Sequence, residues 1–169
     1  MHSLHPITQL LTYSDWANSA VLATASPCTD AELDRPLEIG PGPGTLRRIL
    51  THTWAGEDTW LRRWREEPNV PWPNESESLA VAELTRRFES LRAPRTAFIE
   101  SLTPDRLARV QTYRDSKGSN FRAPLIDMLL QGITHSTHHR AQAVNALRRL
   151  GRTAPEVDYM MHLRTPANA

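Results

Sequence analysis

The sequence predicts an all-α chain: an antiparallel four-helix bundle with a long loop between helices 1 and 2 and a short C-terminal helix. Three observations predict it. Four segments repeat apolar residues at helical spacing, prolines and glycines cluster between them, and no strand-rich runs alternate with them. The last point disfavours a parallel α/β fold, and helices joined by loops pack as neighbours in a bundle. At 169 residues the chain fits one domain, 1–169. A domain of that size buries roughly 70% of its unfolded surface, enough for a core without covalent staples.

Pro6 suits the first turn of helix 1, which carries Ile7, Leu10, Leu11, Trp16, Ala20, Val21 and Leu22 and stops near Ser26 and Pro27. From Asp34 to Gly44, three prolines and three glycines make the long loop. No Lys-Ser/Thr pair follows those glycines, so they form no phosphate loop. Thr45 is the N-cap expected for helix 2, which runs to Pro68 with Leu46, Ile49, Leu50, Thr53, Trp60, Leu61 and Trp64 as its buried stripe. After the proline-rich NVPWPNESES, helix 3 extends from about Leu79 to Leu102 with a kink expected at Pro94. Thr103, Pro104 and Asp105 start a short helical turn, and Val110 to Phe121 reads as a loop with brief strand character. Pro124 at the first helical position begins the longest helix, which ends before Gly151 with Arg148 and Arg149 complementing its dipole. PEVDYMMHLR supplies the short closing helix.

Composition removes several classes of function. Twenty basic residues against nineteen acidic ones leave a formal charge of +1, without the broad positive field of a nucleic-acid binder. No apolar run reaches the roughly 18 residues of a membrane span, and the N-terminus lacks a secretory pattern. Cys28 is the single cysteine. No internal disulfide can form, and a reducing cytoplasm is the expected location.

The chemistry concentrates in THSTHHRAQAVNALRRLG. His135 and His139 lie four residues apart, so on a helix their Cβ atoms are roughly 5–6 Å apart on one face. Projection at 100° per residue places both in the apolar stripe of Leu125, Met128, Leu129, Gly132, Ala143, Ala146, Leu147 and Leu150, with His138 off to the side. Buried imidazoles need polar partners or a metal. Spacing alone leaves metal ligation and a satisfied core pair equally open. His52, on a neighbouring helix, shifts the balance towards a three-imidazole site suited to zinc, nickel or ferrous iron, and unsuited to calcium or magnesium. Gly56 and Gly132, costly inside helices, fit close helix approach or space beside an ion. The general-base glutamate of a zinc-protease motif is missing, since position 136 is serine, and Asn145 stands where the longer protease motif needs histidine. Ser136 and Ser14 read as helix surface polarity.

Tyr13 to Asn18 (YSDWAN), LRRILTHTWAGEDTWLRRW around His52, the THSTHHRAQ segment and Asp158-Tyr159 occur in an order that resembles the DinB/YfiT-like family of metal-binding four-helix bundles. The resemblance spans nearly the whole chain. It implies one metal, commonly zinc or nickel, held by His52, His135 and His139, with Ala141 replacing the usual glycine of the helix-four motif. Gln142 is placed to support a ligand and reads equally well as an exposed helix amide. Family activities include thiol-dependent transfer, apparent hydrolysis and members without known activity, so fold and metal are implied more firmly than reaction.

The first expectation is therefore a transferase that activates a low-molecular-weight thiol at the metal and acts on a small-molecule substrate. A second is a hydrolase using metal-bound water, with Glu57 or Asp58 as conceivable proton acceptors. Both carboxylates project away from His52 and read as solvated charges or ion-pair partners. A third is a non-catalytic metal-binding stress-response protein. No catalytic side chain is assigned, direct nucleic-acid and membrane partners are not expected, and the resemblance suggests a homodimer.

Overall fold

A computed structural model describes residues 4–40, 42–68 and 70–164. Among them, four long helices carry the architecture: α1 (His5–Ala25), α3 (Leu46–Trp64), α4 (Val81–Glu100) and α6 (Leu125–Arg149). Three short ones fill the connections and the end, α2 (Asp30–Leu33), α5 (Pro104–Ala108) and α7 (Tyr159–Leu163). The most extensive packing joins α3 to α6, while α1 touches α4 and α6 and α3 touches α4, so contacts close around the four long helices. Two apolar clusters fill the space between them. One gathers Val21, Leu22, Ile49, Leu84 and Leu147, and the other Ile7, Trp64, Phe98, Met128 and Leu129.

The helix boundaries follow from local chemistry. Thr45 caps α3, its side chain accepting from the Arg48 N–H at 3.3 Å. That helix stops at Trp64, short of Pro68, because Glu66 takes a left-handed backbone at φ 57°. α4 continues through Pro94. At the end of α6, Gly151 (φ 75°) donates to the Arg148 carbonyl at 2.9 Å and Arg152 to that of Leu147 at 2.9 Å. This Schellman arrangement closes the helix where the glycine predicts it. Pro124 precedes the first turn of α6 as its N-cap, one position earlier than expected.

The all-α expectation needs correcting. β1 (Val110–Arg114) and β2 (Asn120–Pro124) form an antiparallel hairpin in which Val110 faces Pro124 and Arg114 faces Asn120. Asp115 makes the turn: its Oδ1 accepts from the N–H groups of Lys117 at 2.9 Å and Ser119 at 2.8 Å, and Gly118 adopts φ 88°. Five-residue strands with mostly exposed side chains bury too little to give an alternating pattern.

α2 occupies the stretch between the end of α1 and Asp34, where the sequence predicts no element. Thr29 and Glu32 form a reciprocal capping box, and Glu32 also accepts from the Arg152 guanidinium at 2.6 and 2.7 Å, tying the loop to the end of α6. The backbone N–H of Thr29, then Arg152, hold the Glu32 carboxyl down at about 2, against 4.5 ordinarily. A lowered folded-state value means that the unfolded chain binds the proton more readily, so this contribution is complete above about pH 4.5 and is lost as pH falls towards 2. Glu32→Gln is therefore expected to lower the melting temperature at pH 7 and leave it almost unchanged near pH 2, as scanning calorimetry at the two pH values would show.

Candidate metal centre

Two helices that pack along their length bring the histidines together. His52 projects from α3, and His135 and His139 from successive turns of α6. Their ring centroids lie 5.3 Å (52 to 135), 4.3 Å (52 to 139) and 4.6 Å (135 to 139) apart. One nitrogen from each falls within 4.8 Å of the others. An ion about 2.0–2.1 Å from each nitrogen would hold them roughly 3.4 Å apart, so the cluster is slightly open and its donors already converge. His138 is exposed, as its position on the wheel predicts.

Gly56 makes the approach possible. A Cβ there would sit 2.6 Å from Nδ1 of His135, so only glycine leaves room for the ring against α3. Gly132 does the same for Trp64, whose ring edge would be 2.6 Å from an added Cβ.

Hydrogen bonds fix two tautomers. His52 Nδ1 donates to Glu75 Oε1 at 2.6 Å, and His139 Nδ1 donates to the Gln142 side-chain oxygen at 2.8 Å. Each ring therefore keeps its Nε2 lone pair for a ligand role. Among the described residues, Nδ1 of His135 is buried without a hydrogen-bond partner. Burial, then the neighbouring imidazoles of His139 and His52, push His135 down to about 4, and burial likewise lowers His139. Both rings are neutral at pH 7, the form in which an imidazole can ligate. Three imidazole donors in a partly buried cluster, one of them with an unpartnered buried nitrogen, fit a divalent ion of the zinc or nickel type.

Sequence reasoning missed Glu75. It sits in the connection between α3 and α4, where no periodicity assigns it a face. Its Oε1 accepts from both His52 and the Trp72 indole N–H. Burial opposes ionisation of Glu75, but these hydrogen bonds outweigh it and hold the carboxyl below its ordinary value. Trp72 packs beside the cluster, 5.2 Å from the His52 ring centroid and 6.4 Å from that of His135. Glu75→Ala frees the His52 ring to rotate and removes the acceptor that makes Nε2 more basic. Metal affinity is expected to fall roughly 10- to 100-fold, measured by chelator competition.

Three polar residues read as surface lie inside. Ser14 is 2% exposed, Ser136 1% and Glu57 8%. Glu57 Oε1 accepts from Asn18 Nδ2 at 2.7 Å and Ser136 Oγ at 2.6 Å, and its Oε2 pairs with Arg95 at 3.0 Å. Arg95 pairs in turn with Asp15, and Arg140 donates to Asn18 Oδ1 at 3.0 Å. The wheel correctly turns Glu57 away from His52, but that direction is the interior between α1, α4 and α6. Asp58 is half-buried and 3.8 Å from Arg62, an ion-pair partner as expected.

Long helices that converge three histidines from two of their number define a helical protein with a candidate metal centre. The profile of the DinB family matches residues 1–167. This chain belongs to the DinB family. Among solved structures, a DinB-like protein from Bacillus cereus ATCC 10987 is similar at a TM-score of 0.66 and 21% identity, covering 92% of this chain and 97% of that one. A search of curated proteins found no match. No helix among the described residues is long and apolar enough to cross a membrane.

Proposed function

We propose that the protein is a divalent-metal-dependent S-transferase that joins a low-molecular-weight thiol to a small electrophilic substrate. The observation that carries the reading is the donor set, in which three imidazoles converge and two are oriented through Nδ1. His52, His135 and His139 would hold zinc or nickel, with Glu75 and Gln142 fixing two of the rings. A divalent ion there keeps its full charge and supplies Lewis acidity that lowers the pKa of a thiol. In the transfer the thiol proton passes to solvent, the sulfur forms the new C–S bond, and the leaving group departs with its electron pair.

The water-activating alternative is less well supported, because the carboxylates near the cluster are engaged. Glu75 is tied to His52 and Trp72, and Glu57 is committed to Asn18, Ser136 and Arg95. The same proposal takes the four long helices as an antiparallel bundle within one domain, 1–169, working in the cytoplasm as a homodimer. The closed pattern of helix contacts supports the bundle.

The test is turnover by zinc- or nickel-loaded protein across a panel of electrophiles with glutathione, bacillithiol or mycothiol. Thiol-dependent product formation that disappears in His52→Ala is the expected result. Turnover that persists without thiol selects the hydrolase, and none under any condition selects a non-catalytic metal-binding stress-response protein.

A further inference from the structure

We infer a second binding site, for a small organic anion, in the cavity between the C-terminal end of α3 and the β1–β2 hairpin, with Arg63 as its anchor. The cavity has a volume of about 520 Å³, and Arg63, Thr112, Tyr113, Arg114 and Asn120 line it. None of the three histidines does. Arg63 follows His52 by eleven residues on the same helix, about 16 Å along its axis, so the cavity is separate from the metal centre.

Arg63 is the unusual feature. Its residue is only 9% exposed, its Nε is buried without a hydrogen-bond partner, and no carboxylate among the described residues pairs with it. Its guanidinium lies 4.8 Å from the Trp60 ring centroid and 5.5 Å from that of Tyr113, against one aromatic side chain of α3 and one of β1. Those rings orient the cation and compensate part of its desolvation, but ring faces accept no guanidinium fork. An uncompensated cation at the wall of a cavity is costly unless an anion completes it. Every other strongly buried arginine here has anionic or polar acceptors: Arg47 binds Asp30 and Asp34, Arg95 binds Asp15 and Glu57, and Arg140 binds Asn18.

Two carboxylates also line the cavity, Glu66 and Glu67, but neither pairs with Arg63. Glu66 is paired with Arg109, and Glu67 with Arg62 at 2.8 Å and Arg65 at 3.5 Å. Asp115 is the remaining carboxylate whose field reaches Arg63, and its Oδ1 is spent on the hairpin turn. Arg114 adds a second cation: its Nε donates to the Gly118 carbonyl at 2.8 Å, a hold that leaves its positive charge unneutralised by a carboxylate. On the same face of β1 as Tyr113, the Gln111 amide is 2% exposed with neither its oxygen nor its nitrogen partnered. Guanidinium forks favour planar or tetrahedral oxyanions. The volume exceeds what an inorganic ion needs and falls in the range of ligand pockets, and the Tyr113 ring offers a flat apolar wall. The ligand class is therefore an aryl- or alkyl-bearing carboxylate or phosphate monoester.

Titration calorimetry on the full chain with benzoate, phenyl phosphate and the neutral benzyl alcohol, at fixed ionic strength, tests the assignment. Saturable binding of one or both anions but not of the alcohol is expected, and the comparison of the two anions distinguishes carboxylate from phosphate. Arg63→Met should weaken it by roughly 10- to 100-fold, the share of a charge-assisted hydrogen-bonded pair. Because Arg63 also packs against two rings, its replacement removes core contacts, so the exposed Arg114→Gln is measured beside it and should weaken binding by a smaller factor with the fold intact. Absence of anion binding, or binding unchanged in Arg114→Gln and in folded Arg63→Met, overturns the site. Neither readout depends on metal or thiol, so its failure leaves the transferase reading untouched.

Discussion

Zinc-loaded protein is expected to melt roughly 5–10 °C above the metal-free form, and His139→Ala to erase that difference. The first figure follows from mass action: free metal at about 100 times its dissociation constant adds about 2.7 kcal/mol, and one kcal/mol moves the midpoint about 2–4 °C in a domain of this size. His139 is the most buried of the three ligands and the one whose Nδ1 is held by its own helix, through Gln142. Removing it leaves two imidazoles on different helices and should reduce affinity by more than the roughly 10- to 100-fold that loss of an orienting neighbour costs. Alanine is the best helix former, so α6 itself should persist. Differential scanning calorimetry with and without zinc, alongside metal content of the purified variant, provides the check. A metal-dependent shift that survives His139→Ala would show that the ion binds elsewhere.

That experiment probes the part of the molecule most visible in the sequence. Histidines at four-residue spacing inside an apolar stripe report a helix face directly, and Gly56 and Gly132 report close approach, because helical periodicity converts sequence distance into angle. Glu75 was invisible for the opposite reason. It belongs to a connection whose path is set by prolines and by the Trp72 indole, and no period relates it to His52. Arg63 was hidden too, since a charged residue beside Trp64 reads as a solvated helix end until the hairpin folds over it. The hairpin was legible only as brief strand character between Val110 and Phe121, because its five-residue strands bury little beyond Gln111. Ser14, Ser136 and Glu57 illustrate a further limit. They lie on α1, α6 and α3, each packed against more than one other helix, so residues off an apolar stripe still face protein, and a binary pattern misreads them as surface.

Glu57→Ala is expected to be the most destabilising single substitution in that enclosed region, costing about 3–5 kcal/mol and lowering the melting temperature by on the order of 10 °C. The size follows from what is left behind. Arg95, 4% exposed, would keep only Asp15, on one side of its guanidinium, and the Asn18 amide and Ser136 hydroxyl would lose their common acceptor in the interior. Each stranded group carries a desolvation cost that the intact network offsets. Glu57→Gln keeps the volume and one oxygen for Asn18 and Ser136 but not the charge opposite Arg95, so its loss should be smaller. The double variant Glu57→Leu with Arg95→Met removes both ends of the pair and should be less destabilising than the two single losses added together, because neither charge is then buried alone. Urea denaturation at pH 7 of the wild type, Glu57→Ala, Glu57→Gln, Glu57→Leu, Arg95→Met and the double variant gives the comparison. Strict additivity, or a Glu57→Ala cost below about 1 kcal/mol, the range of exposed ion pairs, would mean that water reaches this carboxylate and that the four helices are not joined through it. A real coupling has a second consequence, because Ser136 is the chain neighbour of His135. Loss of the Glu57 acceptor loosens the turn of α6 that aims the histidine, so metal affinity should fall along with stability even though Glu57 touches no ligand.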